Sequence, residues 1–220
     1  MEFSVSRLGL RGIEKVGAFA LCYTPTMKPL VLAVLLVLAF VVPAWAGFDE
    51  GVAAYKSGDY EKAFREFRAL GEGGHVGAQY NVGLMYDNGE GVPQDDGEAL
   101  KWYFKAAKQG HAYAQVNLGV MYENGQGVSQ NYAEALKWYR KTAEQGETIA
   151  QAKLAIMYGE GKGVSPDDVQ ALMWLYLAAA GSSKYAVKTL DLAALDMSPA
   201  DISKAQRLAR EWLEKHEKVE

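Results

Sequence analysis

The stretch YDNGEGVPQD, Tyr86 to Asp95, returns as YENGQGVSQN from Tyr122 and as YGEGKGVSPD from Tyr158, each copy thirty-six residues after the last. A phosphate-binding loop requires a lysine and a serine or threonine directly after its glycines. A calcium loop requires oxygen ligands at alternate positions ending in a glutamate. Neither pattern is present in any of the three copies. A constant period instead indicates stacked helical repeats. The paired glycines, Gly89 with Gly91, Gly125 with Gly127 and Gly161 with Gly163, then read as the end of one helix followed by a chain reversal, where a positive backbone dihedral costs a glycine little.

The residues on either side of the loop fit that scheme. Ahead of it, Ala78, Val82, Met85 and Tyr86 lie on one face at helical spacing, and Ala114, Leu118, Met121 and Tyr122 repeat the stripe. Tyr158 is the third copy's counterpart. Behind the loop, Ala99, Trp102, Tyr103, Ala106 and Ala107 predict a second helix with an aromatic and alanine face, and Trp138 and Trp174 stand where Trp102 does. Small residues opposite large ones let two helices approach closely, so the three tryptophans are expected to be core spacers. The second helix also signals its start, with Asp95 three residues before Glu98, Asn131 before Glu134 and Asp167 before Gln170, the spacing of a capping box.

The copies occupy 78–113, 114–149 and 150–185. Degenerate versions flank them. Asp59 caps a helix that lacks the glycine loop, and Ser198-Pro199-Ala200-Asp201 opens the last helix with a capping residue and a first-turn proline. The expectation is an all-α chain of about ten helices in five antiparallel pairs over 47–220, with no second domain.

The N-terminus has a different character. Lys28, an apolar run from Leu30 to Val42, and the small-x-small sequence Ala44-Trp45-Ala46 have the three-part layout of a secretory signal peptide, and the run is too short for a transmembrane anchor. Residues 1–46 are therefore read as an N-terminal extension followed by a signal at 27–46, with Met27 as an alternative start. Cleavage after Ala46 removes Cys22, the sole cysteine of the 220-residue chain, and changes the formal charge from -4 to -6. An acidic remainder argues against nucleic acid as a partner, and no membrane span is expected after cleavage.

The repeated string, matched by Ala78, Gly83, Tyr86, Gly89, Gly91, Val92, Asp95, Ala99, Trp102, Ala106, Ala107 and Gly110, resembles the Sel-one-like repeat, a relative of the tetratricopeptide repeat. The second copy matches as fully, and the third departs with Ala155 at the glycine position. The resemblance implies a right-handed α/α superhelical solenoid that grips a protein or peptide on its concave side, and, in secreted bacterial members, envelope or host-contact roles. Some secreted relatives resemble enzymes acting on beta-lactams and brace each repeat with a cysteine pair. The chain after residue 46 has no cysteine.

Catalytic groups are sparse. His75 and His111 stand one repeat apart at the starts of first helices, where a polar side chain satisfies free backbone amides, and no serine lies in a G-x-S-x-G elbow. No catalytic residue, metal ligand or cofactor is assigned, and enzyme activity is not expected. A binding face is expected on the first helices, opposite their core stripe. Its residues are Tyr80, Asn81, Leu84 and Asp87, then Asn117, Val120 and Glu123, then Lys153 and Ile156, which together make a polar, amide-rich strip with an apolar seam. The expected protein is a monomeric, non-catalytic scaffold for an unknown protein or peptide in the bacterial periplasm or outside the cell. The alternatives are a secreted hydrolase or a structural or regulatory subunit of an envelope assembly.

Overall fold

Ten helices follow one another in the computed structural model, which describes residues 47–217. The extension and the signal segment lie outside the described residues. Helix α1 covers 47–56 and α2 covers Tyr60–Glu72. The three repeats supply α3 (Val76–Asn88) with α4 (Asp96–Lys108), α5 (Ala112–Asn124) with α6 (Tyr132–Ala143), and α7 (Thr148–Glu160) with α8 (Asp168–Ala180). Helices α9 (Lys184–Ala194) and α10 (Pro199–Glu217) close the series. From α2 to α9 each helix packs on its neighbours in sequence, and α10 packs back on α8, so the described residues form a solenoid of paired antiparallel helices.

The core is the stripe read from the sequence. Ala78, Val82 and Met85 are buried, as are Ala114, Leu118 and Met121, and Ala150, Leu154 and Met157. Each of the larger side chains contributes roughly 1.5–3 kcal/mol by leaving water. Alanines at 99, 106 and 107 bring the second helix close, with Tyr103 fully buried beside them, and Tyr139 is fully buried in the same way beside Ala135 and Ala143. Trp102 and Trp174 are buried as expected, Trp174 against Trp212 of the last helix. Trp138 differs. It is only partly buried, packed edge-on against the exposed ring of Phe104 and approached by Lys141, so the fully buried aromatic of that repeat is Tyr139.

Half of the expected capping box forms. The Asp95, Asn131 and Asp167 side chains accept from the amides of Glu98, Glu134 and Gln170 at 2.9, 3.1 and 2.9 Å. The return half does not form, because each cap's own amide donates to the carbonyl of Tyr86, Tyr122 or Tyr158, at 3.0, 2.8 and 3.0 Å. That bond ties the end of the first helix to the start of the second and satisfies an otherwise free terminal carbonyl. Glu98 and Glu134 turn outward to Lys101 and Lys137.

The two glycines of each loop have different tasks. Gly89, Gly125 and Gly161 are left-handed helix ends, with φ of 71, 74 and 68°. Gly91, Gly127 and Gly163 also have positive φ, but a Cβ there would run into the backbone at Tyr60, at Asp96 and at Tyr132, the first residues of α2, α4 and α6. The second glycine therefore sets how closely one repeat seats on the one before it.

Candidate functional site

The first helices α3, α5, α7 and α9 share one exposed face, and its polar members are largely engaged within the protein. On α4 the Tyr103 hydroxyl donates to Asp87 on α3 at 3.1 Å, with Asn117 of α5 beside it. One repeat later, Tyr139 on α6 donates to Glu123 on α5 at 2.8 Å, and Lys153 of α7 bonds the same Glu123 oxygen at 3.0 Å. Each arrangement joins both helices of one pair to the first helix of the next. Burial, followed by the neighbouring carboxylate, pushes both tyrosine hydroxyls far above the usual phenol range, so they remain donors. Burial works against ionisation of Glu123, but the bonds from Tyr139 and Lys153 outweigh it and hold the carboxyl below its ordinary value.

Space for each tyrosine comes from a glycine. A Cβ at Gly83 would lie 2.6 Å from the Tyr103 ring, and one at Gly119 would overlap the Tyr139 ring. The third repeat changes every member of the set at once, with Ala155 for the glycine, Leu175 for the tyrosine, Gly159 for the acid and Thr189 for the Asn117 or Lys153 position. There a cavity of about 250 Å³ opens between α7, α8 and α9, lined by Ala155, Gly159, Leu175, Tyr185 and Thr189 among others. The first interface keeps the glycine, since a Cβ at Gly51 would lie 2.6 Å from the Phe67 ring, but has Phe67 for the tyrosine and Tyr55 for the acid, and holds a cavity of about 150 Å³ beside Val52, Lys56 and Leu84.

Sequence reasoning placed Asp87, Asn117, Glu123 and Lys153 on a free polar strip, whereas the structure brings them together as inter-repeat contacts. Tyr80 lies over His111, ring centroids 4.5 Å apart, and is half-buried. Asn81, Leu84, Val120 and Ile156 are partly exposed on the same face. Residues that the sequence analysis did not select are more exposed than these. Tyr113, Ile149 and Tyr185, at the second position of α5, α7 and α9, are 53, 53 and 48 % exposed. Their thirty-six-residue spacing was the available signal.

A second missed set is internal. Gln79, Gln115 and Gln151 are buried, and their amides donate to the carbonyls of Gly71, Ala107 and Ala143, at or near the end of the preceding helix, at 3.0, 3.0 and 3.3 Å. Gln109 and Thr142 complete the first two by donating to the Gln79 and Gln115 side-chain oxygens. His75 and His111 cap α3 and α5 through Nδ1, at 3.1 and 3.3 Å from the amides of Ala78 and Ala114. Burial lowers the His111 pKa, which keeps Nδ1 free to accept. Among the described residues, no three His, Cys, Asp or Glu side chains are grouped to hold a metal ion, and no helix is long and apolar enough to cross a membrane. The described residues constitute a helical repeat array.

The chain is similar to a solved Sel1 repeat protein from Oxalobacter formigenes, at 35 % identity over 76 % of this chain and 70 % of that one, with a TM-score of 0.65. It is also 44 % identical over 62 residues to an exopolysaccharide production negative regulator of Rhizobium leguminosarum bv. viciae, 28 % of this chain and 23 % of the relative. Its counterpart in Rhizobium meliloti (strain 1021) is 40 % identical over 65 residues, 30 % of this chain and 24 % of the relative. The chain thus spans about a quarter of the length of these curated relatives. The Sel1 repeat model matches residues 76–111, 112–147, 148–183 and 195–215, the first three at the period that the glycine loops mark, and the chain belongs to the Sel1 repeat family.

Proposed function

We propose that the protein is a peptide- or protein-binding scaffold of the bacterial cell envelope, exported through the segment 27–46 and acting as a monomer. The observation that carries this is the exposed ladder of Tyr113, Ile149 and Tyr185 on one face of consecutive first helices. Large apolar side chains presented in register by a rigid array are the kind of surface that solenoids use for extended partners. Tyr80, Asn81, Leu84, Val120 and Ile156 flank the ladder. Asp87, Asn117, Glu123 and Lys153 act on the partner chiefly by fixing the spacing of the helices.

The test is capture of partners from an envelope extract on the full chain, alongside a variant carrying Tyr113→Ser, Ile149→Ser and Tyr185→Ser. Loss of the captured protein at an unchanged melting temperature is the expected result. Equal recovery by both proteins overturns the assignment of this face, and hydrolysis of a beta-lactam by the purified chain replaces the scaffold with an enzyme. The similarity to the two rhizobial regulators supports a second reading, in which the bound partner is a component of an envelope regulatory system.

A further inference from the structure

We propose that the cavity between α7, α8 and α9 seats one apolar side chain of an extended partner peptide, with a lysine or arginine of the same peptide beside it. This deepens the scaffold function above and rests on it. At about 250 Å³ the cavity is smaller than the roughly 300–1,000 Å³ of small-molecule sites, a size that suits a single side chain. Ala155, Ile156, Ala171, Leu175 and Ala193 make its walls apolar.

The opening follows from a coordinated change in the sequence. The tyrosine, its carboxylate partner and the cross-repeat polar residue that bind α3 to α5 and α5 to α7 are all replaced here, so none of the described residues fills the equivalent volume. Tyr185 both ends the exposed apolar ladder and lines the cavity, which puts the cavity in the path of a chain lying along that ladder.

Charge selects the occupant. The charged residues lining the cavity are Glu160 and Asp168, both exposed, with no lysine or arginine among the lining residues. Glu160 is paired with Lys162 at 2.7 Å, whereas Asp168 has no ion-pair partner among the described residues. A cationic side chain next to the apolar anchor meets that carboxylate at the rim, and an acidic one is repelled. The smaller cavity at the first interface carries Lys56 instead and is the internal control.

The experiment is an amide chemical-shift titration of the full chain with three blocked hexapeptides, Gly-Gly-Leu-Lys-Gly-Gly, Gly-Gly-Ser-Lys-Gly-Gly and Gly-Gly-Leu-Glu-Gly-Gly. The Leu-Lys peptide is expected to move the resonances of Ala155, Gly159, Thr189 and Ala193 saturably. The Ser-Lys peptide should bind about tenfold more weakly for want of an apolar anchor. The Leu-Glu peptide should also bind more weakly, by a margin that narrows as salt is raised.

A protein variant combining Ala155→Gly, Gly159→Glu and Leu175→Tyr transplants the set of the second repeat, fills the cavity and should abolish the shifts. Thr189→Phe, at a half-buried rim position, fills it independently if the triple variant does not fold. Equal binding of the Ser-Lys peptide, binding undiminished by either filled variant, or shifts centred on Val52 and Lys56 would each overturn the proposal. Such a failure alongside successful partner capture in the extract experiment rejects the cavity alone. Loss of capture as well rejects the scaffold function.

Discussion

The middle of the solenoid and its two ends use the same positions for opposite purposes. Between α3 and α7 a buried tyrosine hydroxyl reaches a carboxylate, and a side chain of the next repeat joins it from across the interface. At the ends Phe67 and Leu175 take the tyrosine's place, Tyr55 and Gly159 take the acid's, and a cavity stands at each. Polar residues on the inner surface of a repeat array are therefore not automatically available to partners. Where a repeat fastens its neighbour they are occupied, and where it does not the surface opens.

Substitutions should respect that division. Gly127→Ala is expected to have the largest effect, because a methyl group at positive φ would also collide with the Asp96 backbone, which has no flexible end to give way. A loss of about 3 kcal/mol in urea unfolding is expected. Tyr139→Phe removes the donor to a largely buried carboxylate and should cost about 1.5 kcal/mol. Thr189→Val, at the matching cross-repeat position of the open interface, should stay within about 0.5 kcal/mol. An equal loss at both sites would erase the contrast between middle and end.

His111 separates the repeats by pH. Burial lowers its pKa in the folded protein relative to the unfolded chain, so its contribution is complete above the ordinary histidine value and is lost as pH falls through the lowered one. Protonation at Nδ1 also removes the cap acceptor for Ala114. His111→Ser keeps an acceptor at the cap, as Ser183 does for α9, and should flatten the fall in stability at acidic pH, read by urea unfolding at a series of pH values. Lys101→Ala, on a solvent-exposed ion pair, should leave the unfolding midpoint where it is.

The period, the helix pairs and the caps were legible in the sequence because each is a local signal, written at Gly89, Asp95 and their counterparts and repeated three times. The engagement of Asp87, Glu123 and Lys153 was not legible. On a helical wheel they face outward, and only the depth of Tyr103 and Tyr139 in the neighbouring helix brings a hydroxyl to them. Gln79, Gln115 and Gln151 were missed for a related reason, since a buried amide is recognisable only from the carbonyl it satisfies at the end of the helix before it. The joint change to Ala155, Gly159 and Leu175 was visible in the sequence, but without the packing it registered as drift in a third copy. The second loop glycine looked like turn chemistry because the backbone it approaches belongs to the preceding repeat.

The most direct test of this division is a double-mutant cycle between Glu123→Gln and Lys153→Met, read by urea unfolding of the full chain. A carboxylate and an ammonium that hold adjacent repeats together should show a coupling of about 1 kcal/mol. Effects that add to within about 0.3 kcal/mol would mean that the two groups merely lie near each other, and would contradict the assignment of the inner polar residues to inter-repeat locking.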